Sequence, residues 1–343
     1  MESVSQFLLT GTGHEGADPL VQKMLDAAGI ASVQNPWFTR RELARALQGT
    51  ARLIKREKLE LWMSSYNIPD QPLPRPGKIR LIMAGNIPLV GFHDMICVIL
   101  SGHILEMKTS SQDASLPQTI AEILSNSGLE PPIGVHQGNE KDFDAIIATG
   151  SNNSARYFEA LADHKPAIIR KNRNSMAILT GKETREELDL LGKDIFSYFG
   201  LGCRNISFLM LPTGYDLNLM ISAWDKYRHL TSHPKYSNNL THHKALLSMK
   251  GLGFHDAGIC LFNENAELAS PLGVVHYKTY DNFHETISYA EAHRQALQCV
   301  VGGSEVQDRV NGAIGFGTTQ MPEPWDYADG VDTIEFLQQL DLD

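Results

Sequence analysis

Cys203 has the setting that most favours nucleophilic chemistry in this 343-residue sequence. It ends the run Gly200-Leu201-Gly202-Cys203, where glycines allow backbone conformations closed to bulkier residues and expose amides. Arg204 follows directly and Lys193 stands one helical stretch earlier; cations favour the thiolate, the form that attacks a carbonyl carbon. A free cysteine is otherwise a small buried hydrophobe, and Cys97, Cys260 and Cys299, each inside an apolar pattern, are read that way. A second chemical group lies in Met83-Ala84-Gly85-Asn86-Ile87-Pro88-Leu89-Val90-Gly91. The Asn86 side-chain amide follows an apolar strand and can either cap the turn or donate to a developing oxyanion. A thiol and an amide donor together make thioester chemistry the leading reading. Gly102 to Lys108, continued by Thr109-Ser110-Ser111, forms another strand ending in a cation. It suggests a dinucleotide site that lacks a glycine-rich fingerprint.

Other signals carry less. Gly11-Thr12-Gly13-His14-Glu15-Gly16 fits G-x-G-x-x-G, but only a short Phe7–Thr10 run precedes it and no acidic residue follows at the required spacing. His229 and His233 have i, i+4 spacing and His242 and His243 lie beyond, yet no carboxylate or Cys completes a ligand set, so no metal is expected. His93-Asp94 could position an acyl group or supply a proton, with helix-start capping by Asp94 as the simpler account. The run 325–330, with Trp325 and Tyr327, either closes over a substrate tunnel or docks the tail.

These residues must be positioned by a chain long enough for two domains or one large α/β domain. A net charge of −10, with no long Lys/Arg run, argues against a nucleic-acid partner. Four dispersed cysteines without CxxC spacing argue against a disulfide framework and for reduced thiols. No secretory signal is visible and the apolar runs are too short to span a bilayer, so a cytoplasmic protein is expected.

The first 75 residues read as a helical lead, with one amphipathic stretch over 40–66 and a proline-rich connector to Pro76. Strands follow at 79–83, 104–108, 134–136, 145–148 and 167–170, alternating with helices at 92–100, 115–127 and 154–164. That alternation implies a parallel, doubly wound sheet. A second αβ region has helices at 184–199, 216–229, 237–249 and 283–299, strands at 206–211, 258–262 and 272–280, and a closing helix from Thr333. The boundary is placed between residues 178 and 179, giving a cofactor domain with a helical lead and a thiol domain with the tail.

Asn86-Ile87-Pro88, Gly102 through Lys108, Ala148-Thr149-Gly150-Ser151, Gly200-x-x-Cys203 and Glu267-x-x-x-Pro271 occur in the order of the aldehyde dehydrogenase superfamily. With Gly91-Phe92-His93-Asp94, the chain most resembles the LuxC-type acyl-CoA reductase branch, from about Ile79 to Lys278. It is shorter than is typical there, mainly before Asn86 and between Cys203 and Glu267. The resemblance implies an aldehyde-dehydrogenase-like α/β fold, a Rossmann-type cofactor domain beside an αβ catalytic domain. It implies Cys203 as the catalytic thiol and Asn86, with the Cys203 N–H, as the oxyanion hole, a donor type worth about 3–4 kcal/mol in the transition state. It implies Lys108 on the adenine ribose, Gly150 and Ser151 at the pyrophosphate beside a helix N-terminus, and Glu267 on the nicotinamide ribose.

Two departures sharpen the expectation. Hydrolytic relatives carry a general-base Glu where this chain has Ile169-Arg170-Lys171-Asn172-Arg173. Without a base to activate water, a Cys203 thioester should exchange with CoA rather than hydrolyse. Arg170, Lys171 and Arg173 then face phosphates or form a solvated basic loop. Ser111 stands where NAD-preferring relatives carry an acidic residue, leaving room for a 2′-phosphate. The expected activity is NAD(P)H-dependent reduction of an acyl-CoA or related thioester to an aldehyde, its reverse being that of an acylating aldehyde dehydrogenase, with NADPH as cofactor and NADH as the alternative. An acyl-phosphate reductase and a catalytically silent ligand-binding or partner subunit are the competing readings. A homodimer is one option for the assembly, although the usual dimerising hairpin finds no clear place in so short a chain.

Overall fold

The computed structural model describes residues 1–11, 18–67, 72–128, 133–135 and 142–340. The G-x-G-x-x-G run falls almost wholly on residues 12–16, outside that set. The chain divides into two compact units, Met1–Asn172 with Pro322–Asp343, and Arg173–Met321. The division thus falls six residues before the predicted switch, because Asn174–Ile178 is a strand of the second sheet. The tail belongs to the first unit.

In the first unit, helices α1 (Glu2–Thr10), α2 (Pro19–Gln34), α3 (Arg40–Leu53) and α4 (Arg56–Met63) form the lead. The stretch read as one helix over 40–66 breaks at Ile54-Lys55, where Lys55 turns extended. The break delivers Trp62 to the core at 1% exposure. Strands β1 (Lys78–Ile82), β2 (Ile104–Lys108), β3 (Ile133–Val135), β4 (Ala145–Thr149) and β5 (Ala167–Arg170) make a parallel sheet in the order β3-β2-β1-β4-β5. Helices α5 (Phe92–Leu100), α6 (Ser115–Asn126) and α7 (Asn152–Ala162) connect the strands. Alternation along β1 sends Ile79 and Leu81 to the face covered by α5, α6 and the lead, and Ile82 to the face covered by α7. Both faces are therefore buried, which is why these strands read as near-continuous apolar runs. The closing helix Thr333–Gln338 adds Ile334 and Leu337 to the first face.

The second unit carries β6 (Asn174–Ile178), α8 (Arg185–Phe196), β7 (Ile206–Pro212), α9 (Leu217–Ala223), α10 (Pro234–Met249), β8 (His255–Asp256), β9 (Leu261–Glu264), β10 (Val274–Tyr280), α11 (Phe283–Ala292), β11 (Leu297–Val301) and α12 (Ser304–Arg309). Its sheet runs β11-β6-β7-β10-β9-β8, parallel except for the β8–β9 pair. The helix predicted over 283–299 ends at Ala292. Leu297, Cys299 and Val301 then alternate inward as a strand against β6, a period of two masked by the short apolar run. The segment 216–229 likewise leaves α-helical geometry after Ala223 for a 3-10 stretch, Asp225–Ser232. Gly192 in α8 lets Trp224 close on the helix, since a Cβ there would sit 2.7 Å from its ring. The Trp224 indole N–H is satisfied by the Leu188 carbonyl at 2.7 Å. Among the described residues, no helix is long and apolar enough to cross a membrane.

Candidate active site

Cys203 follows a strained turn. The capping box of Thr184 and Glu187 fixes the start of α8. Past its end, Tyr198 and Phe199 both adopt left-handed backbone conformations, φ 51° and 58°, before Gly200 at 79°. Two consecutive left-handed aromatics cost roughly 1–2 kcal/mol each and persist only where the surroundings hold them. Phe199 packs on His233 and Tyr236, with centroids 4.6 and 6.0 Å away. Asn205 fastens the loop itself: its amide donates to the carbonyls of Asp194 and Ser197, both at 2.9 Å, and its Oδ1 accepts the Gly202 N–H at 2.8 Å. The result leaves Cys203 exposed while Cys97, Cys260 and Cys299 are buried.

The backbone at Cys203 is anchored to the sheet. Ser175 Oγ, wholly buried on β6, donates to the Cys203 carbonyl at 2.8 Å and accepts the Cys299 N–H at 3.1 Å. The neighbouring cations have defined contacts of their own. Lys193 Nζ donates to the Gly317 carbonyl at 2.8 Å, and the Arg204 guanidinium lies 3.6 Å from Cys299 Sγ. Burial pushes the Cys299 thiol up, with Arg204 pulling the other way.

Glu267 is exposed on the loop after β9, with its backbone fixed at both ends. Its amide donates to Asn265 Oδ1 at 3.0 Å and its carbonyl lies 2.9 Å from His276 Nδ1. Burial holds His276 below the usual imidazole range. Because a carbonyl only accepts, Nδ1 carries the proton. Ser207 Oγ holds the next carbonyl, Leu268, at 2.9 Å.

In the first unit, Asn86, Lys108 and Ser111, and Gly150 and Ser151 sit at or just past the carboxyl ends of β1, β2 and β4. Ligands of open α/β sheets bind at these ends, and β1/β4 is the point where strand order reverses. Asn86 is exposed, Lys108 half-buried and Ser111 exposed on a turn. Gly150 has no room for a side chain, since a Cβ would lie 2.8 Å from the Phe158 ring and 3.0 Å from Ser154 Cβ. Ser151 caps α7, its Oγ accepting the Ser154 N–H at 3.2 Å. A small residue and an exposed helix start at the end of β4, with a lysine at the end of β2 on the other side of β1, are groups that could hold a dinucleotide phosphate and ribose.

His93 and Arg170, expected near substrate, have other occupations. Arg170 is 4% exposed and donates to both Asp94 oxygens at 2.7 and 3.3 Å, to the Ala328 carbonyl at 2.6 Å and to Thr333 Oγ1 at 2.9 Å. It ties β5 to α5 and the tail and presents no phosphate-facing surface. Asp94 is correspondingly the partner of Arg170 rather than a cap of α5, whose N-cap is Gly91. His93 Nε2 lies 2.7 Å from the Pro324 carbonyl, and the ring packs on Trp62 and Tyr327 at 5.3 and 5.5 Å. Tyr327 in turn bonds Trp62 Nε1 at 2.8 Å and Tyr66 OH at 2.5 Å, so the aromatic run of the tail docks it. Lys171, by contrast, is exposed and pairs with Glu159 at 2.9 Å.

Sequence reasoning misses Asn205, Ser175 and Asp113. Asn205 leaves one usable trace, an amide two residues beyond a glycine-flanked Cys at a helix end. Ser175 and Asp113 leave none, because their partners are distant backbone groups. His233 caps α10 through Nδ1, 3.4 Å from the Tyr236 N–H, and His229 Nδ1 lies 2.8 Å from the Lys226 carbonyl. Among the described residues no group of three or more His, Cys, Asp or Glu is arranged to hold a metal.

No protein-family profile matches the chain, and no curated protein sequence matches it. Solved structures do. The NAD+ complex of an aldehyde dehydrogenase from Bacillus cereus aligns at TM-score 0.61 and 13% identity, covering 92% of this chain and 74% of that one. A putative methylmalonate-semialdehyde dehydrogenase from Sinorhizobium meliloti 1021, complexed with NAD, gives 0.62 and 15%, covering 98% and 83%. The Mycobacterium tuberculosis aldehyde dehydrogenase complexed with NAD+ gives 0.55 and 15%, covering 92% and 80%. At such identities the likeness is one of architecture: the chain adopts the aldehyde-dehydrogenase fold.

Proposed function

We propose that this chain is an NADPH-dependent acyl-CoA reductase working through a Cys203 acyl-enzyme, with NADH as the alternative donor. The observation that carries the reading is Cys203 itself, exposed beyond a strained left-handed turn and held by Ser175 and Asn205. The Cys203 thiolate attacks the thioester carbonyl, the Asn86 amide and the Cys203 N–H are assigned to the oxyanion, and CoA leaves as its thiolate. Lys108, Ser111, Gly150, Ser151 and Glu267 are the residues that would hold a nicotinamide dinucleotide, which when bound supplies the hydride that releases the aldehyde.

The stretch that follows β5 supports thiol exchange over hydrolysis. Residues 169–173 include no carboxylate, and Asp94, the acid paired with Arg170, is buried and committed to that ion pair. Residues 169–173 themselves offer no base to deprotonate water, and the exposed Glu159 beside them is paired with Lys171.

Intact-mass spectrometry after mixing with acyl-CoAs of graded chain length tests the reading. The expected result is one acyl adduct, absent in Cys203→Ala, with CoA released in step with NADPH consumed. An adduct formed only from acyl phosphates would move the substrate class. No adduct from any thioester or acyl phosphate would leave a catalytically silent protein.

A further inference from the structure

Asp113 has no part in the chemistry above, yet it is buried to 1% exposure between the loop carrying Asn86 and the loop that follows Lys108. Three contacts fasten these loops together. The Met83 N–H donates to the Lys108 carbonyl at 3.0 Å, extending the β1–β2 ladder. Gly85 lies flush on the second loop: a Cβ there would meet Ser110 Oγ at 2.5 Å and the Asp113 nitrogen at 3.2 Å. The Leu89 N–H donates to Asp113 Oδ2 at 2.7 Å. Asn86 lies between the second and third fastenings.

The third fastening has features of a device rather than filler. Leu89 is held at φ 59°, a conformation that an L-residue with a branched side chain rarely takes. Asp113 sits in its own small turn, its N–H donating to the Ser110 carbonyl at 3.1 Å in an isolated antiparallel bridge. Its Oδ1 has no hydrogen-bond partner among the described residues. A buried, half-satisfied carboxyl that holds a strained residue costs stability, and such local conflicts gather at functional sites. Burial also pushes the carboxyl up to about 7.

We propose that Asp113 is a positioning residue that couples the dinucleotide loop to the Asn86 loop, so that ordering residues 108–113 sets Asn86 for the acyl oxygen. The proposal rests on the cofactor and oxyanion roles assigned above to Lys108 and Asn86. It assigns Asp113 no contact with substrate or cofactor.

Hydrogen–deuterium exchange of the full chain, with and without saturating NADPH, tests the coupling. In the wild type, NADPH slows exchange in segments 104–113 and 84–92 alike. In Asp113→Ala it slows the first alone, and kcat falls about tenfold while the NADPH KM moves by less than about threefold. Asp113→Asn, which keeps an oxygen acceptor for Leu89, restores both effects. If Asp113→Ala fails to fold, Asp113→Leu fills the same space without an acceptor and gives the same reading. Protection of both segments in Asp113→Ala or Asp113→Leu, at wild-type kcat, overturns the coupling and leaves the cofactor role standing. Wild-type chain that NADPH protects nowhere overturns the cofactor role and the coupling with it.

Discussion

The Ser175 hydroxyl donates to the carbonyl oxygen of Cys203 at 2.8 Å and fixes the peptide of the proposed nucleophile to strand β6. Ser175 Oγ also accepts the Cys299 N–H at 3.1 Å, so one hydroxyl satisfies two backbone groups, from β11 and the thiol loop. Ser175→Ala takes the partner from the buried Cys299 N–H, at a cost of about 1–3 kcal/mol, and removes the anchor of the Cys203 carbonyl. The variant should unfold at lower urea and acylate Cys203 roughly tenfold more slowly, because the thiol loop loses its register. A time course of adduct mass with a medium-chain acyl-CoA reads the rate. Acylation at the wild-type rate would show that the strap is structural only.

Asn205 holds four backbone groups at once, the Gly202 N–H and the carbonyls of Asp194, Ile195 and Ser197, and its amide geometry cannot be copied by a carboxylate. Asn205→Asp keeps the acceptor for Gly202 but turns an oxygen toward the carbonyls of Asp194 and Ser197. Asn205→Ala merely leaves them unpaired. Both should cost more than about 2 kcal/mol, with Asp the worse. Chemical denaturation gives the order, and equal losses would mean that the two carbonyls find other donors.

The parallel sheet of the first unit was legible because its central strands β1 and β4 are short, buried, mostly apolar runs that alternate with helices. The glycines before Cys203 marked the turn at the end of α8, which the structure has. The strand ending in Val301 was not, since Leu297, Cys299 and Val301 also fit the end of the preceding helix. Arg170 and His93 misled for a different reason. A basic loop and a histidine beside a candidate donor look like ligand groups, and the acceptors that claim them, Ala328 and Pro324, come from a tail more than 150 residues away. Asp113 was invisible because its partner is a backbone N–H.

The Arg170–Asp94 pair makes a stability prediction that separates it from a substrate site. With side chains 5% and 8% exposed, both charges are buried, and removing one strands the other. Asp94→Leu alone should cost about 3–5 kcal/mol, while Asp94→Leu with Arg170→Met should recover much of it, since a well-packed apolar pair can replace a buried ion pair. A double-mutant cycle by urea unfolding reads the coupling. Simple additivity of the two losses would mean that the Ala328 and Thr333 contacts, rather than Asp94, hold Arg170.

Asp113 also predicts a pH dependence whose sign is fixed by its burial. The carboxyl moves from 3.8 to about 7 on folding because desolvation disfavours its charge, with the Leu89 N–H opposing. Between those values the folded chain holds a proton that the unfolded chain has released. Stability is therefore greatest below the unfolded value and falls as pH rises, until the loss is complete near 7. Asp194, raised to about 6 by burial, acts with the same sign. His103, lowered by burial, acts with the opposite one. The contribution of Asp113 is therefore isolated by comparison with Asp113→Asn, which leaves the other two in place. From pH 5 to pH 8 the wild type should lose roughly 3 kcal/mol that the variant keeps. Parallel unfolding curves for the two proteins across that range would mean that the buried carboxyl ionises as freely as an exposed one.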